Sequence, residues 1–255
     1  MAYPPWLHWL ATCPSTNTWA RQSLAHLAHG DVVCTPRQTA GRGRDGRRWY
    51  APPGVLTASF VLQPVTASQI PWLSLAAGLA VIYAVEDTVS LAPGTLGLKW
   101  PNDVVLQGRK LAGVLCEASL PWAVVGIGLN RAVDWAKVLT DPTSGLSPSQ
   151  VASLLEVTPH PPDVITLLTR LRRYLLEAHS LIQQGKEGNL LPPLRQRDVL
   201  DGCPLTIRSG ETTISGIGLG LDDQGRLRVQ GADGTLHAFT AGHVVCWEPS
   251  RFVGN

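Results

Sequence analysis

The 255-residue sequence lacks the features of a secreted or membrane-bound protein. Its first twelve residues are mostly apolar, but they contain no Lys or Arg and are interrupted by Pro4 and Pro5, which argues against a signal peptide. No apolar run approaches the roughly 18 residues needed to cross a bilayer. The five cysteines are widely spaced without a Cys-x-x-Cys pair, which favours free thiols over disulfides or a zinc site. We therefore predict a cytoplasmic protein that binds no membrane.

Several nucleotide-binding and catalytic signatures are also missing. The sequence has no Gly-x-x-x-x-Gly-Lys-Ser/Thr loop, no His-Glu-x-x-His and no Gly-x-Ser-x-Gly elbow. Gly126-Ile127-Gly128 follows a predicted strand, but Arg131 stands where a dinucleotide fingerprint has its third glycine. These absences disfavour a P-loop protein, a zinc peptidase, an α/β-hydrolase and a Rossmann fold.

The chain has no broad excess of positive charge. Residues 200–255 contain four basic and six acidic residues, so the net charge of +2 leaves +4 for residues 1–199. The segment from Arg37 to Arg48 accounts for that excess, with five arginines and one aspartate. A nucleic-acid-binding surface would spread its Lys and Arg residues more widely, so this distribution argues against one.

The chain contains two regions with different sequence patterns. Residues 1–199 mix strand and helix patterns, whereas from Leu200 onward short strands alternate with turn signals such as Asp233-Gly234, as in a small β-barrel. We predict an α+β protein with a domain of residues 1–199 and a β-barrel domain of residues 200–255. The predicted strands are Asp31–Thr35, Val55–Leu62, Gly97–Lys99, Val104–Leu106, Lys110–Glu117 and Ala123–Leu129, with a hairpin turn at Gln107-Gly108. The predicted helices begin at Ser15 and span Pro71–Val89, Pro148–Glu156, Asp163–Gln184 and Leu191–Val199.

Residues 38–50, here called the arginine loop, read Gln-Thr-Ala-Gly-Arg-Gly-Arg-Asp-Gly-Arg-Arg-Trp-Tyr. Its three glycines allow the backbone to close tightly around a ligand, and its four arginines supply planar donor groups with fixed charge. Such a loop suits a phosphate, and Trp49 adds an aromatic face that favours a nucleotide. A solvated basic loop is the alternative.

Four other segments have complementary chemistry. Ser15-Thr16-Asn17, together with Gln38, offers neutral donors and acceptors for an uncharged polar group, although a helix N-cap would use the same residues. Lys99-Trp100-Pro101-Asn102-Asp103 lies at a strand end, where functional sites often occur. A turn without a function is the alternative. Lys110 lies in an apolar strand, where it meets an anion or marks a sheet edge. Asn130 follows two glycines, which permit the close approach of a flat ring. The alternative is that these glycines only form a turn.

These five segments, in this order, resemble those of biotin protein ligases. The matching motifs are Ser-Thr-Asn, Gln-Thr-Ala-Gly-Arg-Gly-Arg-x-Gly-Arg-x-Trp, Lys-Trp-Pro-Asn-Asp, Arg-Lys-Leu-Ala-Gly and Gly-x-Gly-x-Asn, and they extend over most of the chain. The resemblance implies a class II synthetase-like mixed sheet flanked by helices, with a small C-terminal SH3-like barrel. It also implies two reactions. Biotin and Mg-ATP form biotinyl-5′-adenylate and pyrophosphate, and a lysine of the biotin carboxyl carrier protein of acetyl-CoA carboxylase then attacks the adenylate and releases AMP.

The resemblance assigns roles residue by residue. Arg44 and Lys110 are implied to be catalytic, and Asp103 either binds Mg²⁺ or orients Lys99. The residues implied to bind biotin are Ser15, Thr16, Asn17, Gln38, Arg42, Gly43, Arg44, Lys110 and Gly113. Those implied to bind ATP or the adenylate are Arg42, Arg44, Trp49, Lys99, Asn102, Lys110 and Asn130. The loop is expected to be mobile in the free protein and ordered around the adenylate, because its like charges repel.

Bifunctional members of this family carry an N-terminal DNA-binding domain of roughly 60 residues, whereas here the Ser-Thr-Asn motif begins at residue 15. We therefore expect no DNA binding, and the resemblance leaves a homodimer open. Three alternatives remain: a lipoate ligase of the same fold, a nucleic-acid-binding protein and an inactive biotin-binding protein. Charge distribution disfavours the second, and the presence of Arg44 and Lys110 disfavours the third.

Overall fold

Two β-sheets organise the computed structural model, which describes residues 3–139 and 147–248. The larger is a seven-stranded sheet with the strand order β1-β2-β3-β7-β6-β5-β4. Only the β1–β2 pair is parallel among these strands. The strands are β1 (Leu7–Trp9), β2 (Val32–Thr35), β3 (Val55–Leu62), β4 (Leu96–Lys99), β5 (Asp103–Leu106), β6 (Arg109–Ser119) and β7 (Trp122–Asn130).

Five α-helices accompany the sheets in the described residues: α1 (Thr16–Gln22), α2 (Ile70–Glu86), α3 (Trp135–Val138), α4 (Val164–Gln183) and α5 (Leu191–Arg197). Helices α2 and α4 pack together on one face of the large sheet, and α1 packs on the opposite face against β2, β3 and β7. The mixed sheet with helices on both faces confirms the predicted α+β class.

Alternation along the central strands separates a core face from a second face that carries polar and small residues. In β3, Ala58 and Phe60 belong to the main hydrophobic core, whereas Thr57 and Ser59 point the other way. In the paired strands β6 and β7, this second face carries Gly113, Leu115, Glu117, Gly126, Gly128 and Asn130, beside the apolar Val124. The sheet therefore presents one wall on which a polar ligand site can form.

One apolar stretch serves as a core helix. By length and hydropathy, Ala67–Glu86 would suffice to cross a membrane, so the expectation that no run approaches that length was wrong. However, 67% of the 18-residue apolar stretch within it is buried inside the protein, where α2 lies between the sheet and α4.

The C-terminal part forms a five-stranded antiparallel sheet with the order β11-β10-β9-β8-β12. Its strands are β8 (Pro204–Ser209), β9 (Thr212–Leu221), β10 (Leu227–Gly231), β11 (Leu236–Phe239) and β12 (His243–Trp247). This agrees with the predicted all-β C-terminal unit. The core is continuous between the two sheets, since Leu205 and Leu227 belong to the same cluster as Leu98. The domain boundary at residues 199 and 200 stays a prediction.

Most predicted elements are present with small shifts at their ends, including the turn at Gln107-Gly108, where both residues have positive φ. The predicted helix Pro148–Glu156 was wrong. Val151 pairs with Lys110 in a parallel β-bridge, and only Leu154–Glu156 forms a 3₁₀ turn. Strand β1 and helix α3 are short elements that the sequence did not reveal. The five cysteines are free thiols, as predicted.

Candidate functional site

A cavity of about 300 Å³ lies on the second face of the large sheet. The sheet forms its floor, the arginine loop covers one side, and His243 and Val244 of the C-terminal sheet close another. All five segments singled out in the sequence contribute to its wall: Ser15–Asn17, the arginine loop, Lys99–Asp103, Lys110 with Gly113, and Gly126–Asn130. The fold thus brings together residues that lie more than 100 positions apart.

Neutral polar groups cluster at one end of the cavity. Ser15 caps α1 by accepting a hydrogen bond from the Thr18 amide, so the N-cap interpretation is confirmed alongside the placement of Ser15 in the wall. The Thr16 amide donates to Gln38 Oε1 at 2.8 Å, and the Thr16 hydroxyl lies 3.2 Å from the same oxygen. This pairing fixes the Gln38 side chain beside α1.

Asn17 is buried, and its amide group is held by the protein itself. Its Nδ2 donates to the Leu115 carbonyl and to Glu117 Oε2, each at 3.0 Å, while Ser59 Oγ donates to Oδ1 at 2.6 Å. A Cβ on Gly126 would overlap Asn17, which explains this glycine. Ser59 and Glu117 were missed because a single strand residue carries no motif.

The arginine loop folds back on itself. The Trp49 amide donates to the Gly41 carbonyl at 2.9 Å, and the Gly43 amide donates to the Arg47 carbonyl at 2.7 Å. Asp45 at the tip has φ 55°, in the left-handed region where Asp is tolerated better than most residues. The loop backbone is therefore closed by its own hydrogen bonds.

Each of the four loop arginines has a different partner. Arg42 pairs with Glu117 at 3.1 Å, and Arg44 donates to Asn102 Oδ1 at 3.3 Å. The Arg47 guanidinium contacts both Asp45 and His243, and the Arg48 guanidinium lies 5.9 Å from the centre of the Tyr50 ring. All four arginines line the cavity; Arg42 contacts β6 and Arg44 contacts the β4–β5 turn, whereas Arg47 contacts the C-terminal sheet.

Trp49 is the flat ring that the Gly-x-Gly segment accommodates. A Cβ on Gly128 would overlap the indole, and one on Gly113 would lie 3.1 Å from both the indole and Lys110. The Lys110 ammonium lies 5.4 Å from the centre of the ring. The indole Nε1 is buried and has no hydrogen-bond partner within residues 3–139 and 147–248. Trp49 is also one of the residues that line the cavity.

The Lys-Trp-Pro-Asn-Asp segment joins β4 to β5 and is both a turn and a part of the cavity wall. Asn102 Nδ2 donates to the Val114 carbonyl at 2.7 Å, which turns Oδ1 toward Arg44. Burial lowers the pKa of the Lys99 ammonium; Asp103 nearby opposes that shift and Lys110 adds to it. Lys99 also lies 5.5 Å from the centre of the Trp247 ring.

Lys110 and Asp103 form an ion pair of 2.7 Å across β5 and β6. Lys110 therefore faces the cavity, which excludes the interpretation that it only protects a sheet edge. Asp103 was expected to bind Mg²⁺ or to orient Lys99; its ion pair in the structure is with Lys110, and its backbone pairs with that of Lys99 across β4 and β5. In the described residues no three His, Cys, Asp or Glu side chains lie close enough to hold a metal ion.

Asn130 is buried at the far end of the cavity. Its Nδ2 donates to the carbonyls of Lys110 and Ala152, so it ties β6 to the segment that the sequence assigned to a helix. Trp135, which the sequence did not single out, donates from Nε1 to the same Ala152 carbonyl and lines the cavity. The signal in the sequence that could have found Trp135 is its position five residues after Asn130.

His243 in β12 was also missed, because no motif surrounds it. Its Nε2 lies 3.4 Å from Arg47 Nη1. Burial lowers the pKa of the His243 imidazole, and the nearby cations Arg47, Lys99 and Arg208 lower it further, while Asp103 opposes them. The imidazole is therefore neutral at pH 7, and its Nε2 accepts a hydrogen bond from the Arg47 guanidinium.

Comparisons with known proteins show which family the chain resembles. Residues 9–130 match the family model described as the Biotin/lipoate A/B protein ligase family, and residues 204–247 match the Biotin protein ligase C terminal domain. The chain is 37% identical to a Mycobacterium tuberculosis biotin–[acetyl-CoA-carboxylase] ligase, over 92% of this chain and 87% of that protein.

Two further relatives support the same assignment. The chain is 31% identical to the bifunctional ligase/repressor of Escherichia coli, over 92% of this chain and 72% of that protein. A solved structure of a biotin protein ligase from Aquifex aeolicus, in complex with biotin and ATP, superposes with a TM-score of 0.80 at 26% identity and covers 96% of this chain and 99% of that one. The chain belongs to the biotin protein ligase family.

Proposed function

We propose that this protein activates biotin with ATP to biotinyl-5′-adenylate and pyrophosphate, and then transfers biotin to a lysine of the biotin carboxyl carrier protein of acetyl-CoA carboxylase. The observation that carries the proposal is a single cavity with two chemically different ends. Thr16, Asn17 and Gln38 form a neutral polar end, and Lys99, Lys110 and Arg44 form a cationic end. Biotin has the matching character, with an uncharged ureido ring and an anionic carboxylate.

The cationic end suits the first reaction. Negative charge develops between the biotin carboxylate and the α-phosphate during adenylation, and donors already aimed at that position stabilise it. Lys110 is held by Asp103, and Arg44 by Asn102, so both are oriented by the sheet before a ligand arrives. The unpartnered Trp49 Nε1 supports the proposed contact of this ring with the adenylate.

Magnesium is proposed to enter with ATP. Mg²⁺ in nucleotide sites is usually bound by one or two carboxylates together with substrate phosphates and water. Asp103 alone does not form a metal cage and is engaged by Lys110, so it fits a supporting role beside Mg-ATP. A cytoplasmic location and the absence of DNA binding stay parts of the proposal.

Pyrophosphate release from ATP tests the function directly. Biotin is expected to stimulate the release, and lipoate or octanoate at the same concentration is not. Stimulation by lipoate without stimulation by biotin would favour a lipoate ligase, and no biotin-dependent release would defeat the proposal. Transfer of biotin to a purified carrier domain then tests the second reaction.

Substitution of Lys110 provides the first mutational prediction. Because Lys110→Gln removes a positioned cation, we expect biotin-dependent pyrophosphate release to fall about 100- to 1000-fold. The control is Lys186→Gln, since Lys186 is exposed after α4 and lies outside the cavity. Equal rates for the two variants would remove Lys110 from the reaction.

A further inference from the structure

Glu117 is a charged residue on the second face of the sheet whose carboxylate is almost fully covered. It lies in β6, and 15% of its side chain is exposed. Both oxygens are saturated with donors. Oε1 meets Arg21 at 3.0 Å and Arg42 at 3.1 Å, while Oε2 meets Asn17 at 3.0 Å and Arg42 at 3.4 Å. A carboxylate has about four lone-pair sites, so this one has no room for a ligand.

The partners of Glu117 depend on it to different degrees. Asn17 is also held by the Leu115 carbonyl and by Ser59, so its amide keeps its orientation without Glu117. Arg42 lies in the arginine loop, with 47% of its side chain exposed, and its other side-chain contact is a 3.4 Å hydrogen bond to the Thr18 hydroxyl. The orientation of Arg42 therefore rests mainly on Glu117.

This pair ties the loop to the neutral end of the cavity. Glu117 connects Arg42 to Asn17, and Asn17 connects through Ser59 to Thr16, which in turn holds Gln38 at the start of the loop. The network thus joins both ends of the loop segment Gln38–Arg42 to the sheet. Like charges on Arg42, Arg44, Arg47 and Arg48 oppose such closure, and Glu117 is the sheet carboxylate that offsets one of them.

We propose that Glu117 is a positioning residue for biotin binding, which acts by fixing the Arg42 guanidinium over the neutral end of the cavity. Glu117 does not touch the ligand. Its effect appears in the KM for biotin, because it determines how much of the protein has Arg42 in place before biotin arrives. The part that concerns biotin rests on the proposed function, whereas the part that concerns Arg42 does not.

The first test uses the ligand-free protein. Glu117→Gln replaces one acceptor oxygen by an amide NH₂, a donor that faces the donors of Asn17 and Arg42. We expect trypsin to cleave between Arg42 and Arg48 about fivefold faster than in the wild type, with cleavage at Lys186 and the thermal midpoint unchanged. Arg21→Gln is the matched control, since it removes a partner of the same carboxylate outside the loop. Cleavage of Glu117→Gln at the wild-type rate would overturn the proposal, whether or not the chain uses biotin.

The second test measures the KM for biotin in pyrophosphate release. Glu117→Gln is expected to raise it about tenfold, the size typical of a charge-assisted hydrogen bond that is partly exposed. Glu117→Asp, which keeps the charge, should recover part of the loss, and Arg21→Gln should stay within about twofold of the wild type. In an Arg42→Gln background, Glu117→Gln should add less than a threefold effect.

These measurements distinguish the role of Glu117 in positioning Arg42 from its role in biotin binding. If the effects of the two substitutions on the KM for biotin multiply in the double variant, or if Arg21→Gln has an equal effect, Glu117 does not act through Arg42. Faster cleavage without a change in the KM for biotin would overturn its role in biotin binding. A wild-type protein without biotin-dependent release would defeat the proposed function, and the cleavage result would still decide whether Glu117 positions Arg42.

Discussion

At the scale of single residues, the site contains two kinds of polar side chain. Some line the cavity with charged ends, such as Lys110 and Arg44. Others have their amide hydrogens bonded within the protein, such as Asn17 and Asn130. Both asparagines stand in motifs and look alike in the sequence, but here they hold strands and loops in place. A motif predicts where a residue lies more reliably than what its side chain contacts.

Gly128 offers a residue-scale prediction, because a side chain there would displace Trp49. A Cβ on Gly128 overlaps the indole, whereas one on Gly188 meets nothing within 4 Å. Gly128→Ala is therefore expected to lower biotin-dependent pyrophosphate release at least about tenfold, which corresponds to roughly 1.4 kcal/mol. Gly188→Ala should leave the rate unchanged. A wild-type rate for Gly128→Ala would show that Trp49 has no part in the reaction.

At the scale of elements, the residue pattern located six of the seven strands of the large sheet. Val55–Leu62 was predicted with the bounds of β3, and β5, β6 and β7 differ from their predictions by no more than two residues at either end. The segment Pro148–Glu156 misled, because its apolar spacing resembles that of a helix. It pairs with Lys110 instead, and a bridge to a distant strand cannot be read from local spacing.

The arginine loop gives the element-scale prediction. Its positive charges repel each other when the cavity is empty, and phosphate oxygens offset them, so ligand should slow local opening. We expect trypsin to cleave between Arg42 and Arg48 about tenfold more slowly with biotin plus ATP than without them. Cleavage at Lys186 in the same digest is the internal control. Equal cleavage rates in the loop would rule out ordering by ligand.

At the scale of the whole molecule, the C-terminal sheet helps to complete the cavity. His243 and Val244 line it, and Trp247 lies beside Lys99. The sequence predicted this sheet as a separate unit and could not assign a role to it. Its role appears only when β12 is placed next to the arginine loop.

The contact between His243 and Arg47 makes a pH-dependent prediction. The pKa of His243 is lowered below its ordinary value of 6.5, so the unfolded chain binds the proton more readily. Stability is therefore expected to fall as the pH drops below about 6.5. Gln at this position accepts from Arg47 without titrating.

Thermal midpoints of wild type and His243→Gln at pH 8 and pH 5.5 provide the measurement. The thermal midpoint of the wild type should fall more between pH 8 and pH 5.5 than that of the variant does. The remaining histidines are the same in both proteins, so they cancel in the comparison. An equal fall of the thermal midpoint in both proteins would show that the His243–Arg47 contact contributes nothing to the pH dependence of stability.

The sequence by itself determined most strands of the large sheet, the long helices and five segments of matched chemistry, because hydrophobic period and motif spacing are local properties of the chain. Only the tertiary structure decided which side chains meet. Glu117 pairs with Arg42 across 75 positions, and His243 reaches Arg47 across 196 positions. These pairings depend on strand register and on the packing of the second sheet, which bring distant residues within hydrogen-bond distance. No local pattern of residues encodes that distance.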